Sequence, residues 1–226
     1  MALKINRNLQ KILKVIGWVL LIIVIVCMIK ILIWERNYYS TKSSEQRAKA
    51  DVVITGLSPT INPSEEDISE EDVAKHQVEA SKPRYLNIGR LNLHIRVKES
   101  VVNSEILPIP SNIHDAMWYA GSGKPGENST ILISGISSGD TKKGAFANLD
   151  SLEKGDKISV ELGSGDIFYY IIQEILIIDL QEAENKLPSI QRRIDDKETL
   201  SLVTAIKTSE NNETYTSIVI VRATKE

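Results

Sequence analysis

Hydrophobic and polar positions alternate with different rhythms along the 226-residue chain. Val15–Trp34 (VIGWVLLIIVIVCMIKILIW) is an almost unbroken apolar run with no polar face. Its length at about 1.5 Å per residue matches a bilayer core of roughly 30 Å, so the pattern predicts a transmembrane helix. A secretory leader would have a shorter apolar region and a small-residue cleavage site, and no convincing one precedes Ser40. Lys30 lies a turn from the end of the run, where a long amine snorkels to the headgroups. Trp34, Tyr38 and Tyr39 suit the interfacial belt that follows. Residues 35–82 lose the apolar rhythm and are rich in Ser, Thr, Glu, Asp and Lys, the composition of a flexible linker. Some forty such residues span roughly 35 Å root-mean-square. Within them, Ser69 before Glu70-Glu71-Asp72 is placed to N-cap a short helix.

From Pro83 the rhythm becomes that of strands. Leu91, Leu93, Ile95 and Val97 alternate with Asn92, His94 and Arg96, which puts His94 on the polar side of a half-buried strand. Gly89-Arg90 joins this strand to Tyr85–Ile88. Lys157–Leu162 and Ile167–Asp179 flank the turn Gly163-Ser164-Gly165 and read as a hairpin. Thr130–Ser134, Thr199–Ala205 and Ser217–Ala223 are further β-rich runs, the last two separated by the polar loop Lys207–Thr216. Phe146 and Leu149 sit three apart, as on a helical turn. Many short strands, little helix and no alternating βα rhythm predict an all-β barrel.

Charge sets the orientation and removes one class of partner. Only Lys4, Arg7, Lys11, Lys14 and Lys30 are charged before Glu35, and all are basic. This predicts a cytoplasmic N-terminus (1–14), a single membrane pass (15–34) and an extracellular remainder. That remainder carries 22 basic against 30 acidic groups, which argues against a nucleic-acid partner. The only cysteine, Cys27, lies in the apolar run and reads as a small packing residue, so the outer part holds neither a disulfide nor a thiol nucleophile.

Two stretches carry a family resemblance: Trp118–Leu152 (WYAGSGKPGENSTILISGISSGDTKKGAFANLDSL) and Thr199–Ala205 (TLSLVTA). Leu107–Pro110, Trp118-Tyr119, Pro125-Gly126-Glu127, Phe146-x-x-Leu149, Gly155-Asp156 and Thr204 occur in the order that resembles the sortases, membrane-anchored cysteine transpeptidases of Gram-positive and related bacteria. The resemblance implies a sortase-like β-barrel with short helices over 83–226, behind the signal anchor and linker. It also implies a location at the cell membrane and a partner bearing a sorting-signal peptide. In that family a cysteine thiolate attacks a carbonyl beside a threonine, a histidine is the acid/base, and an arginine stabilises the oxyanion.

Here the matching positions carry Ala205 for the cysteine, Ile136 for the histidine and Ile218 for the arginine. A methyl group cannot attack and a branched alkane cannot move a proton. Loss of the nucleophile of a hydrolytic triad costs on the order of a millionfold in turnover. The resemblance therefore predicts a pseudo-sortase that binds a sorting-signal-like peptide or a surface protein. Trp118, Tyr119, His114, Ser134, Ser138, Thr204, Arg222 and the loop Leu180–Glu198 are its candidate contacts. Arg222 lies on the same strand face as Ile218 but about 13 Å further along, and reads as a strand-end surface arginine.

Two rival expectations come from the same residues. An active transpeptidase or hydrolase would need His114, beside Asp115, to activate a hydroxyl among Ser134, Ser137 and Ser138. A structural spacer would show apolar substitutions along the whole groove floor. No His/Cys/carboxylate spacing suits zinc, and no cofactor is implied. Some sortases bind calcium through acidic loops, but Glu182, Glu184, Asp195 and Asp196 in the comparable region read as solvated charges, as does the acidic run Glu65–Asp72.

Overall fold

The structure is a computed structural model that describes Met28, Lys30 and residues 63–100, 108–180, 182–183, 190–207 and 215–226. The chain divides into two units, Met1–Ala48 and Lys49–Glu226. In the first, Met28 and Lys30 are helical. The rest of the expected membrane helix, and the linker up to residue 62, lie outside the described residues. Among the described residues no helix is long and apolar enough to cross a membrane.

The second unit is a closed eight-stranded barrel. Its strands are β1 (Pro83–Ile88), β2 (Leu93–Glu99), β3 (Ala116–Trp118), β4 (Thr130–Gly135), β5 (Lys157–Leu162), β6 (Ile167–Asp179), β7 (Thr199–Ile206) and β8 (Ser217–Lys225). Around the barrel they run β1-β2-β3-β4-β7-β8-β6-β5, and β5 closes onto β1. The β5–β6 hairpin turns at Gly163-Ser164-Gly165 as the sequence predicts, with Gly165 at φ +91°. The first two strands are joined by a single 3-10 turn, Gly89–Leu91, with Asn92 in the left-handed region.

Alternation along β4, β7 and β8 explains their apolar runs, because these strands are covered on both faces. Ile131, Ile133, Leu200, Leu202, Val219, Val221 and Ala223 fill the barrel interior around Trp118 and Phe146. Leu132, Val203, Ala205, Ile218 and Ile220 point the other way and form a second apolar cluster with Ile178, Ala183 and Ile190. Full burial of each Leu, Ile or Val side chain among them contributes about 1.5–3 kcal/mol. A bulge between Ile172 and Glu174 feeds the same cluster. Before it, Tyr170 and Ile172 face inward; after it, Leu176 and Ile178 join the outer cluster. One extra residue thus switches which side chains of β6 face the core.

The helix expected after Ser69 is α1 (Glu70–Ala74), with the Ser69 hydroxyl accepting from the Asp72 amide. From Pro63 onward the polar stretch assigned to the linker is bonded to the barrel. Ser64 bridges Asn112, the Glu65 carboxylate accepts from the Asp140 and Thr141 amides, and His76 bonds the Val97 carbonyl at 3.0 Å. Composition missed this because the bonds are polar and depend on the folded barrel for their partners.

Candidate functional site

The motifs of the resemblance are mainly frame. Gly135 has no room for a side chain, since a Cβ there would lie 2.6 Å from the Phe146 ring. Phe146 and Leu149 are both fully buried, and the Leu149 amide reaches the Phe146 carbonyl at 3.4 Å. Gly155 takes φ +97°, and Asp156 accepts from the Glu153 amide at 2.8 Å to fix the turn into β5. Gly126, at φ +93°, gives its amide to both oxygens of Glu198 at 3.0 Å. Glu198, 3% exposed, also accepts from Asn128 N at 2.9 Å and from the Tyr170 hydroxyl at 2.7 Å. Burial, then the bond and charge of Glu198, hold the Tyr170 phenol well above its ordinary range, so it stays a donor. Sequence reading placed Glu198 only at the end of the candidate contact loop Leu180–Glu198, and gave it no part in holding the Pro-Gly-Glu loop, although it directly precedes the TLSLVTA strand.

The three positions that the resemblance matches to cysteine, histidine and arginine come together in space. Ala205 and Ile218 face each other across the β7–β8 pair. Ile136 follows β4, which pairs with β7 in parallel register up to Ser134↔Val203. Ile136 and Ala205 line one cavity with Ser134, Ser137, Thr204 and Tyr215. Its volume is about 10 Å³, at the lower limit for one ordered water. Ile218 is fully buried beside it in the apolar outer cluster.

The hydroxyls around this cavity are occupied as donors. Thr204 Oγ1 donates to the Gly135 carbonyl at 2.9 Å, Ser137 Oγ to the Ala205 carbonyl at 2.5 Å, and Ser134 Oγ to the Pro108 carbonyl. Ser138 donates to the Gly139 carbonyl at 2.9 Å, and its own carbonyl accepts from the Tyr215 hydroxyl at 2.6 Å. Burial, then the charge of Asp140, push the Tyr215 phenol up and keep it neutral. His114 is elsewhere. It lines a separate cavity of about 200 Å³ with Asp67, Arg96 and Asp115, its Nε2 3.4 Å from Asp67. Among the described residues, no imidazole borders the cavity at Ala205.

The other candidate contacts also find their places. Trp118 is 2% exposed in the barrel core, its indole nitrogen donating to the Gly123 carbonyl at 3.1 Å. Tyr119 is half-buried against the outer cluster. Arg222 is not a surface arginine. It is 7% exposed, paired with Glu174 at 2.6 Å and bonded to the Arg192 carbonyl. Residues 190–193 lie over it, and the β6 bulge brings Glu174 onto its face. Among the described residues no group of three His, Cys, Asp or Glu side chains could hold a metal.

The closed eight-stranded barrel, with β4 and β7 bordering the cavity at Thr204 and Ala205, is the architecture that the resemblance to sortases implies. The sortase domain family model matches residues 86–226, more than half of the chain, and the protein belongs to the sortase family. Solved sortase structures are similar to the chain, and one reaches a TM-score of 0.50. Sortase C of Streptococcus pneumoniae is 16% identical, with 84% of this chain and 95% of that chain covered and a TM-score of 0.50. The Clostridium perfringens sortase D5 transpeptidase is 21% identical over 71% of this chain and 90% of that chain, with a TM-score of 0.47. A pilus-related sortase C of Group B Streptococcus is 18% identical over 83% and 90%, with a TM-score of 0.49. No curated protein matches the sequence.

Proposed function

We propose that this sortase-family domain is catalytically silent and acts at the outer face of the membrane as a binding or spacing module, held there by Val15–Trp34. One observation carries the reading: Ile136 and Ala205 line a cavity of about 10 Å³, Ile218 pairs with Ala205 beside it, and the described lining residues include no thiol, imidazole or cationic side chain. Acyl transfer needs all three roles within hydrogen-bond reach of one carbonyl. The apolar cover over Ala205 and Ile218 supports the spacing role more than a peptide held at the old reaction centre. Family membership suggests a sorting-signal-bearing surface protein as the partner, and the small volume of the cavity favours a contact that leaves Ala205 covered.

The test is turnover of fluorogenic sorting-signal peptides with an amine acceptor by the full chain, beside the triple variant Ile136→His, Ala205→Cys, Ile218→Arg. The wild type should be silent. Cleavage or a thioester in the triple variant alone would show that only the side chains are missing. Turnover by the wild type overturns the proposal.

A further inference from the structure

Residues 63–82 form an arm that lies on the barrel without entering its core. None of them is buried, and none belongs to either apolar cluster. The first part of the arm is held by polar bonds. The Ser64 amide donates to the Ser111 carbonyl at 2.8 Å, and the Ser64 carbonyl accepts from the Ile113 amide at 3.0 Å. The Glu65 carboxylate accepts from the Asp140 amide, from the Thr141 amide at 3.0 Å and from the Thr141 hydroxyl. Asp67 pairs with Lys142 at 2.9 Å. These bonds tie two barrel segments together, 111–113 and 139–142. Each segment is two residues from a wall of the cavity at Ala205, Ile109 on one side and Ser137 on the other. No arm residue lines that cavity, so the arm is a strap across its walls and not a cover over it.

We propose that residues 63–67 are a releasable strap: bound, they hold the two walls together over Ala205; released, they let the walls part and expose that position. A segment attached by surface hydrogen bonds, with no buried apolar side chain, belongs to the part of a fold that opens locally at low cost. The rest of the arm stays in place, because His76 bonds the Val97 carbonyl at 3.0 Å and the Tyr85 hydroxyl donates to the Val73 carbonyl. Inner bonds keep the walls folded when the strap is off. The Ala145 amide donates to the Ile113 carbonyl at 2.8 Å, and the Ser137 hydroxyl to the Ala205 carbonyl. Release therefore widens the cavity without unfolding it. The inference goes beyond catalytic silence and stands whether or not the wild type turns over a peptide.

The experiment uses the full chain in detergent micelles, carrying Cys27→Ala and the reporter substitution Ala205→Cys. Thiol modification by a neutral maleimide is timed beside amide hydrogen exchange. Two further substitutions release the strap by different routes. Glu65→Ala removes the acceptor. Gly139→Ala keeps the carboxylate and its charge but evicts it, since a Cβ there would lie 2.2 Å from Glu65 Oε1. In both, exchange at Ile113, whose amide bonds the arm, should rise about tenfold, the effect of one lost hydrogen bond. Thiol modification should rise several-fold with it. Exchange at Tyr119, whose amide bonds the Leu132 carbonyl at 2.9 Å inside the barrel, should hold. Unchanged exchange at Ile113 in both variants overturns the proposal, because the strap then does not release. An unchanged thiol rate despite faster exchange at Ile113 overturns it, because release then does not reach Ala205. An equal rise at Tyr119 also overturns it, because the arm is then part of the barrel.

Discussion

Replacing Glu198 by alanine should be among the most damaging single changes available in the barrel. The carboxylate is 3% exposed and serves three donors, Gly126 N at 3.0 Å, Asn128 N at 2.9 Å and the Tyr170 hydroxyl at 2.7 Å. Gly126 and Asn128 lie on an exposed loop and can turn toward water, which limits their share. Tyr170 is fully buried and cannot. An orphaned buried donor costs about 1–3 kcal/mol, and lost packing adds to it, so the total is about 3–4 kcal/mol. That is a large part of the 5–15 kcal/mol by which domains are usually stable. At roughly 2–4 °C per kcal/mol the midpoint should fall by about 10 °C. Glu198→Gln keeps one acceptor oxygen and should cost about half as much. Thermal unfolding of the full chain in micelles, followed by near-UV circular dichroism, measures both. A double-mutant cycle with Tyr170→Phe should give a coupling of about 1–2 kcal/mol. A loss below about 1 kcal/mol in Glu198→Ala would refute the reasoning that this carboxylate ties the Pro-Gly-Glu loop to β7.

Two further outcomes concern the arm, residues 63–82 bonded to the barrel, and the cover, residues 190–193 over Arg222. Hydrogen bonds from Thr141 hold the Glu65 carboxyl below its ordinary value of 4.5, and the Lys142 hydrogen bond and charge hold Asp67 below 3.8. Folded-state depression means the arm's attachment is intact above those values and is lost as pH falls through the lower folded ones. Amide resonances of Asp140 and Thr141 should therefore shift on acidification below about pH 4 while barrel resonances hold. Glu65→Gln should blunt the response. Arg222→Met keeps the packing but removes the bonds to Glu174 and the Arg192 carbonyl. Trypsin should then cut after Arg192 and Arg193, both exposed, several-fold faster than in the wild type, and an unchanged rate would separate Arg222 from the cover.

Much of this protein is legible in one dimension. Period-two patterns and turn residues locate β1, β2, β5 and β6, because side-chain alternation and glycine at φ +91° are local requirements. The near-continuous apolar runs of β4, β7 and β8 announce strands buried on both faces. At Ile136, Ala205 and Ile218 the residue identities alone exclude a base, a nucleophile and a cation at those three positions, since those roles depend on which atoms a side chain has. Tertiary structure decided what depends on distance. Ala205 faces Ile218 only because β7 and β8 pair in that register. Arg222 is buried only because an irregularity in β6 turns Glu174 toward it and residues 190–193 cover it. His114 goes to a different cavity from Ser134 although β3 and β4 are neighbours. A side chain's chemistry is written in its own residue, whereas its partners are brought near by segments tens of residues away.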